Sequence, residues 1–249
     1  GSAVTFDKTA PTLSAVSIVS NNTYNTALAK VGDALTLTFT SNEDVQDPPT
    51  VTIGGSSATV TGSGTSWSAT RTMASGDSEG GVVFTIDFLD LTGNVGTQVT
   101  ATTDASGITF DKTAPTMSAI AIASNNANYT TLAKVDDSVK VTFTSSETIQ
   151  TPTATIGTYS AVISGSAVSW TAARTMTSTD TEGSVAITLD FMDLAGNAGT
   201  QATATTNSSA VTLDRTAPTV SASISSDNAI ATLAKPDDNV TITITSSEN

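Results

Sequence analysis

The stretch that most constrains this chain is Asp7-Lys8-Thr9-Ala10-Pro11-Thr12, because it returns as Asp111-Lys112-Thr113-Ala114-Pro115-Thr116 and as Asp214-Arg215-Thr216-Ala217-Pro218-Thr219. The copies lie 104 and 103 residues apart, so the chain is an array of units that must share one fold. Proline fixes its own φ, removes a backbone donor and pushes the alanine before it toward extended conformations, so each hexapeptide reads as a stiffened crossing between domains. The expected division is residues 1–8 as the last strand of a preceding repeat, 9–112 as repeat 1, 113–215 as repeat 2, and 216–249 as the first two strands of a truncated repeat 3. The first assignment rests on Gly1 to Phe6, which matches Ser106-Gly107-Ile108-Thr109-Phe110 and Ser209-Ala210-Val211-Thr212-Leu213.

Within each unit apolar residues alternate with polar ones, and no window accepts an amphipathic helix. Leu35, Leu37 and Phe39 alternate with Thr36, Thr38 and Thr40, and their counterparts are Val139, Val141, Phe143 and Val240, Ile242, Ile244. Strands are expected from Thr12 to Val19, around Leu35 to Phe39, through Val51 and Ile53, through Ala58 and Val60, from Trp67 to Met73, and from Val82 to Phe88. Between the first two lies a long polar loop, Ser20 to Asp33, and a last strand is expected to return through Val99 and Ala101 to Phe110. About seven short strands with regular turn signals define an all-β class, an immunoglobulin-like antiparallel sandwich. Seven alternating strands put the two chain ends of a unit at opposite poles, so the units are expected end to end. A strand of this length spans roughly 25 Å, which suggests a domain on the order of 40 Å long.

Threonine, serine, alanine and glycine fill positions that charged residues usually hold, since only 13% of the chain is charged. The 23 acids against 9 bases give a net charge of -14, which argues against nucleic acid and anionic membranes and makes multivalent cations natural counter-ions. No apolar run is long enough to span a bilayer, so direct membrane insertion is not expected. Cysteine and histidine are both absent, which removes disulfides and every Ser-His or Cys-His pair. Asp87 and Asp90, three apart on a strand, point to opposite faces and do not suit a shared glycosidic site. The chain therefore reads as non-enzymatic, with no cofactor required.

Asp-Lys-Thr-Ala-Pro-Thr, the Leu28-Ala29-Lys30-Val31-Gly32-Asp33 run, Thr50-Val51-Thr52-Ile53-Gly54-Gly55 and Asp193-Leu194-Ala195-Gly196-Asn197 together resemble the bacterial Ig-like repeats strung along very large secreted adhesins and surface proteins. The resemblance covers the whole chain. It implies an extracellular, cell-surface stalk or filament shaft for adhesion or anchoring, and in some members calcium near the linkers. Its partners would be the neighbouring repeats of the same chain, with lateral self-association into a fibre as a further expectation. A reading from a different class is a loop-mediated glycan- or protein-binding module, with Tyr24 and Tyr129 as its candidate residues.

Strand parity brings the Asp111 linker toward Glu147, Asp193 and Asn197 at the leading pole of repeat 2, and sets Asp7 beside Glu43, Asp90 and Asn94 in repeat 1. Hard cations take six to eight oxygens, largely carboxylate and carbonyl, so these sets are candidate interdomain calcium ligands. The other open reading is that Asp90 and Asn94 cap their own turns. Arg71 and Arg174 fall at core-facing parity and are expected at the sheet margin, the stem packed and the head paired with a carboxylate such as Asp87 or Asp90, while Trp67 and Trp170 read as core. Lys30, Lys134 and Lys235 recur in polar loops, so no isopeptide is expected. Sequons at Asn21, Asn128, Asn207 and Asn239 are glycosylation candidates in a source that glycosylates.

Overall fold

The computed structural model describes residue 4 and residues 6–248, so the strand expected over residues 1–8 falls partly outside the described residues. No helix occurs among the described residues, and the chain is all-β. Repeat 1 is built from β1 (Leu13–Ser20), β2 (Leu28–Ala29), β3 (Ala34–Ser41), β4 (Thr50–Ile53), β5 (Ser56–Ser57), β6 (Thr59–Ser63), β7 (Ser66–Thr72), β8 (Gly80–Gly81), β9 (Phe84–Asp87) and β10 (Thr109–Phe110). One antiparallel sheet has the order β1-β3-β7-β6 and the other β5-β4-β9. A short ribbon, β2-β10-β8, joins β2 to β10 in parallel. This is the two-sheet arrangement of an immunoglobulin-like sandwich.

Period-two alternation buries one face of each sheet. Leu35, Leu37 and Phe39 of β3 stand opposite Arg71, Ala69 and Trp67 of β7, and they share one buried cluster with Val51 and Ile53 of β4 and Phe84 and Ile86 of β9. Repeat 2 builds the same three sheets around a separate cluster running from Ile120 to Leu213. Both tryptophans belong to these cores, and their indole N–H groups donate to Gly64 O and Ala167 O at 3.0 and 3.1 Å. In repeat 3, Val220–Ser226 and Val240–Ser246 pair as a two-stranded ladder. Val240, Ile242 and Ile244 there are 54%, 63% and 68% exposed, since no further strand covers them among the described residues.

Two segments differ from the sequence reading. The long polar loop contains β2, whose Ala29 is fully buried. The expected last strand is mostly irregular, with Val99 making one isolated bridge to Ile86 before β10. The reason is visible at the free edge of β1. Val16 N donates to Thr103 Oγ1 and Ile18 N to Ser106 Oγ, each at 2.9 Å, so side-chain hydroxyls satisfy donors that a paired strand would have taken. Thr206 and Ser209 do the same for Ile120 and Ile122. An edge closed in this way is a poor template for another chain.

The arginine partners also need correction. Arg71 pairs with Asp77 at 2.5 Å, and Arg174 reaches both oxygens of Asp180 at 2.7 and 2.8 Å, in neither case Asp87 or Asp90. β7, and the equivalent Ser169–Thr175 in repeat 2, ends at the trailing pole, and the turn that follows it carries these aspartates. Asp87 and Asp90 lie at the opposite pole, where Asp87 accepts from Gln98 and Asp90 is held by its own turn. Arg174 also sits 4.5 Å from the Tyr159 ring centroid, in cation–π geometry. Removing the buried carboxylate leaves an uncompensated guanidinium, so Asp180→Ala is expected to lower unfolding stability in denaturant by about 3–5 kcal/mol, and Arg174→Met added to it to recover most of that loss.

Candidate functional site at the repeat junctions

Each junction is assembled from three places at the leading pole of a sandwich. The strand equivalent to β3 ends in a serine whose hydroxyl donates to the carbonyl of the next acid, Ser41 Oγ to Glu43 O at 2.6 Å and Ser145 Oγ to Glu147 O at 2.5 Å. The turn after β9 presents Asp90, or Asp193 in repeat 2, and the linker brings in Asp7 or Asp111. In both Asp7–Glu43–Asp90 and Asp111–Glu147–Asp193, one carboxylate oxygen from each residue lies within 4.8 Å of the other two. Six of the eight residues singled out by spacing therefore converge in two like groups.

The other two, Asn94 and Asn197, brace these groups. Asn197 Nδ2 donates to Asp193 Oδ2 at 2.7 Å and to Asp111 O at 3.0 Å, and Asn94 Nδ2 donates to Asp90 Oδ2 at 2.6 Å and Asp7 O at 3.3 Å. The side-chain nitrogen that faces each carboxylate is a donor with no lone pair for a cation, so in this arrangement each asparagine gives its acid hydrogen bonds. Asp90 and Asp193 cap their own turns, and they also point into a cluster of acids.

The electrostatics of the cluster are unbalanced. Burial pushes Glu147 above the usual carboxylate range, and the nearby Asp111, Asp193 and Glu79 push it further. Glu43 is raised by burial and by Asp7 and Asp90, and Asp111 by burial and by Asp193 and Glu79 against one hydrogen bond from Thr113. Burial pushes Asp90 up as well, but donors from Asn94 and Thr92 outweigh it and hold the group at about 2. The linker cation does not help, because Lys112 Nζ turns back to Ser75 O and Asp77 O of the preceding repeat at 2.9 and 2.7 Å. Oxygens bound to one calcium ion at 2.3–2.6 Å can be no more than about 5 Å apart, so the observed spread of the carboxylates fits that ion. Three carboxylates supply its charge and part of its oxygen shell.

The linker is fixed from both sides. Ahead, Thr116 exchanges bonds with Ser146 at 2.9 and 2.8 Å, and behind, Glu79 Oε1 accepts from Lys112 N and Thr113 Oγ1 at 2.8 and 2.7 Å. The next linker repeats this, with Thr216 on Glu182 at 3.1 Å and Thr219 N on Ser247 at 2.9 Å. Glu79 and Glu182 escaped the sequence reading as joint residues. Their signal was a constant separation of 34 residues from the linker threonine.

The remaining candidates are scattered. Lys30, Lys134 and Lys235 each pair with the aspartate three residues on, at 3.3, 3.8 and 2.9 Å. Asn21, Asn128, Asn207 and Asn239 are all exposed. Tyr24 lies against repeat 2, and Tyr129 is exposed beside a cleft at the next linker.

The fold and its joints define a tandem array of immunoglobulin-like β-sandwiches. No protein-family model matches the chain, and no curated protein matches it. A solved structure of the Bacteroides ovatus mixed-linkage glucan utilization locus SGBP-B, in complex with a mixed-linkage heptasaccharide, is similar at 16% identity and a TM-score of 0.22. The match covers 78% of this chain and 44% of that one.

The perturbed acids fix a pH profile in the presence of chelator. Groups raised in the folded state cost stability as pH climbs above the ordinary glutamate value of 4.5, whereas Asp90 contributes above its ordinary 3.8 and loses that contribution as pH falls toward about 2. Thermal unfolding across this range should show both limbs, and Glu147→Gln should make the upper one shallower, with Glu43 still contributing to it, while leaving the lower one in place.

Proposed function

We propose that this chain is a non-enzymatic structural segment of an extracellular repetitive protein, of the kind formed by Ig-like repeats in large bacterial surface adhesins. It serves as a stalk or filament shaft that holds an adhesive or anchoring part away from a surface. The observation that carries this reading is the joint. The same linker chemistry recurs at successive repeats, with threonine on a glutamate behind it and on a serine ahead of it. A segment that reuses its joints and keeps its faces nearly constant is built to transmit position rather than to recognise a ligand.

Calcium is the cation proposed for Asp7, Glu43 and Asp90 and for Asp111, Glu147 and Asp193. When bound it neutralises three neighbouring carboxylates and ties the linker aspartate to two loops of the following repeat. The partners of the segment are the adjoining repeats, and shafts lying side by side would form a fibre.

Small-angle scattering of the purified chain should give the dimensions of a straight pair of sandwiches, and melting should rise in calcium relative to chelator. Metal analysis with identical melting in the two conditions would remove calcium from the proposal. Specific signals on a glycan array that disappear in Tyr129→Ala would replace the shaft reading with a binding one.

A further inference from the structure

Asn22 and Tyr24, in the loop between β1 and β2, serve more than their own repeat. Asn22 is buried, and its Nδ2 donates to Asp33 Oδ2 at 2.7 Å and to Ala195 O of repeat 2 at 2.8 Å, which uses both amide hydrogens. Its Oδ1 accepts from Tyr24 N and Asn25 N at 2.9 and 3.1 Å, so the same side chain shapes the loop and binds the neighbour. The Tyr24 ring lies over Gly196. A Cβ at position 196 would run into ring carbon Cε2 and come within 2.6 Å of Cδ2, with Lys30 Cε 3.5 Å away. Ala195, between these contacts, is 1% exposed.

Gly93 is the internal control. It holds the same place in the Asp90–Asn94 turn that Gly196 holds in Asp193–Asn197, with a φ of +94° against +89°. Both turns therefore make the same demand on the backbone. Around Gly93, however, nothing described comes within 4 Å of where a Cβ would stand. The close approach at Gly196 comes from the preceding repeat and not from the turn.

We propose that the loop after the first strand of a repeat is a docking socket for the Asp-x-x-Gly-Asn turn of the repeat that follows, and that this contact is a second fixed point of the joint beside the linker. The turn supplies a backbone carbonyl to the asparagine amide and a face without a side chain to the aromatic ring. Two separated contacts resist bending and twisting, which one linker cannot do. Repeat 2 carries a variant of the surface. Asn126 donates to Asp137 at 2.8 Å as Asn22 does to Asp33, and the tyrosine is displaced by one position to Tyr129. A cleft of about 460 Å³ lies there between Asn126, Tyr129, Leu132 and Lys134 and the linker at Asp214 and Pro218, and the partner it fits is another turn of the same sequence. The inference rests on the observed contact and holds whatever the protein attaches to.

The chain has no cysteine, so Thr61→Cys and Ser164→Cys, both exposed, give one spin label per repeat for pulsed electron-spin distance measurement. In chelator, where no cation contributes, the parent chain should give a narrow distance distribution. Asparagine tolerates left-handed φ, so Gly93→Asn should leave that distribution unchanged and Gly196→Asn should abolish its narrowness. Tyr24→Ala acts from the other side of the contact and should do the same, which keeps the test decisive if the turn of repeat 2 fails to fold. A narrow distribution in Tyr24→Ala, or equal broadening by Gly93→Asn and Gly196→Asn, would overturn the socket.

Discussion

A buried carboxylate at the leading end of each sandwich sets the geometry of the whole joint. Asp90 and Asp193 are almost without solvent contact, and an ionised group in that position must be hydrogen-bonded or become neutral. The turn answers this locally, with backbone and side-chain donors from residues two to four positions on. The asparagine that closes the turn has a second amide hydrogen, and that hydrogen goes to the carbonyl of the linker aspartate. Satisfying one charge therefore also fastens the chain that arrives from the previous repeat.

From this point the remaining features fall into order. A linker fastened at Asp111 leaves its own carboxylate beside Glu147 and Asp193, which is why three acids gather where no base reaches them. It also brings the turn close enough for Asn22 and Tyr24 to touch it. The two sandwiches have separate cores, so nothing apolar is shared between them and the joint is made of hydrogen bonds, charge and one aromatic contact. Such a joint rests on several separated polar contacts beside a cluster of acids.

Much of this was legible in the residues. Alternation in Leu35 to Phe39 fixed which face is buried, the recurring Asp-Lys-Thr-Ala-Pro-Thr fixed the period, and parity of strand direction was enough to gather Asp111, Glu147 and Asp193. The partners of the arginines were not read: Asp87 and Asp90 sit at the other pole, and Arg71 pairs instead with the aspartate six residues on in the adjoining turn. The irregular course of residues 88–108 was not legible. Alternating Val99 and Ala101 looks like a strand, and only the packed edge of β1 shows that Thr103 and Ser106 do that work with side chains.

The class of fold, the repeat and which acids gather at each joint can be read along the chain, because they depend on local period and on the direction of successive strands. What those residues touch comes from packing in three dimensions. That Glu79 reaches forward to hold the linker, that the asparagines turn nitrogen rather than oxygen toward the acids, and that Gly196 is bare because a tyrosine from the repeat before lies on it are all contacts across distant sequence. They follow from how two closed sandwiches meet at their poles, and spacing along one chain carries no record of which faces come together there.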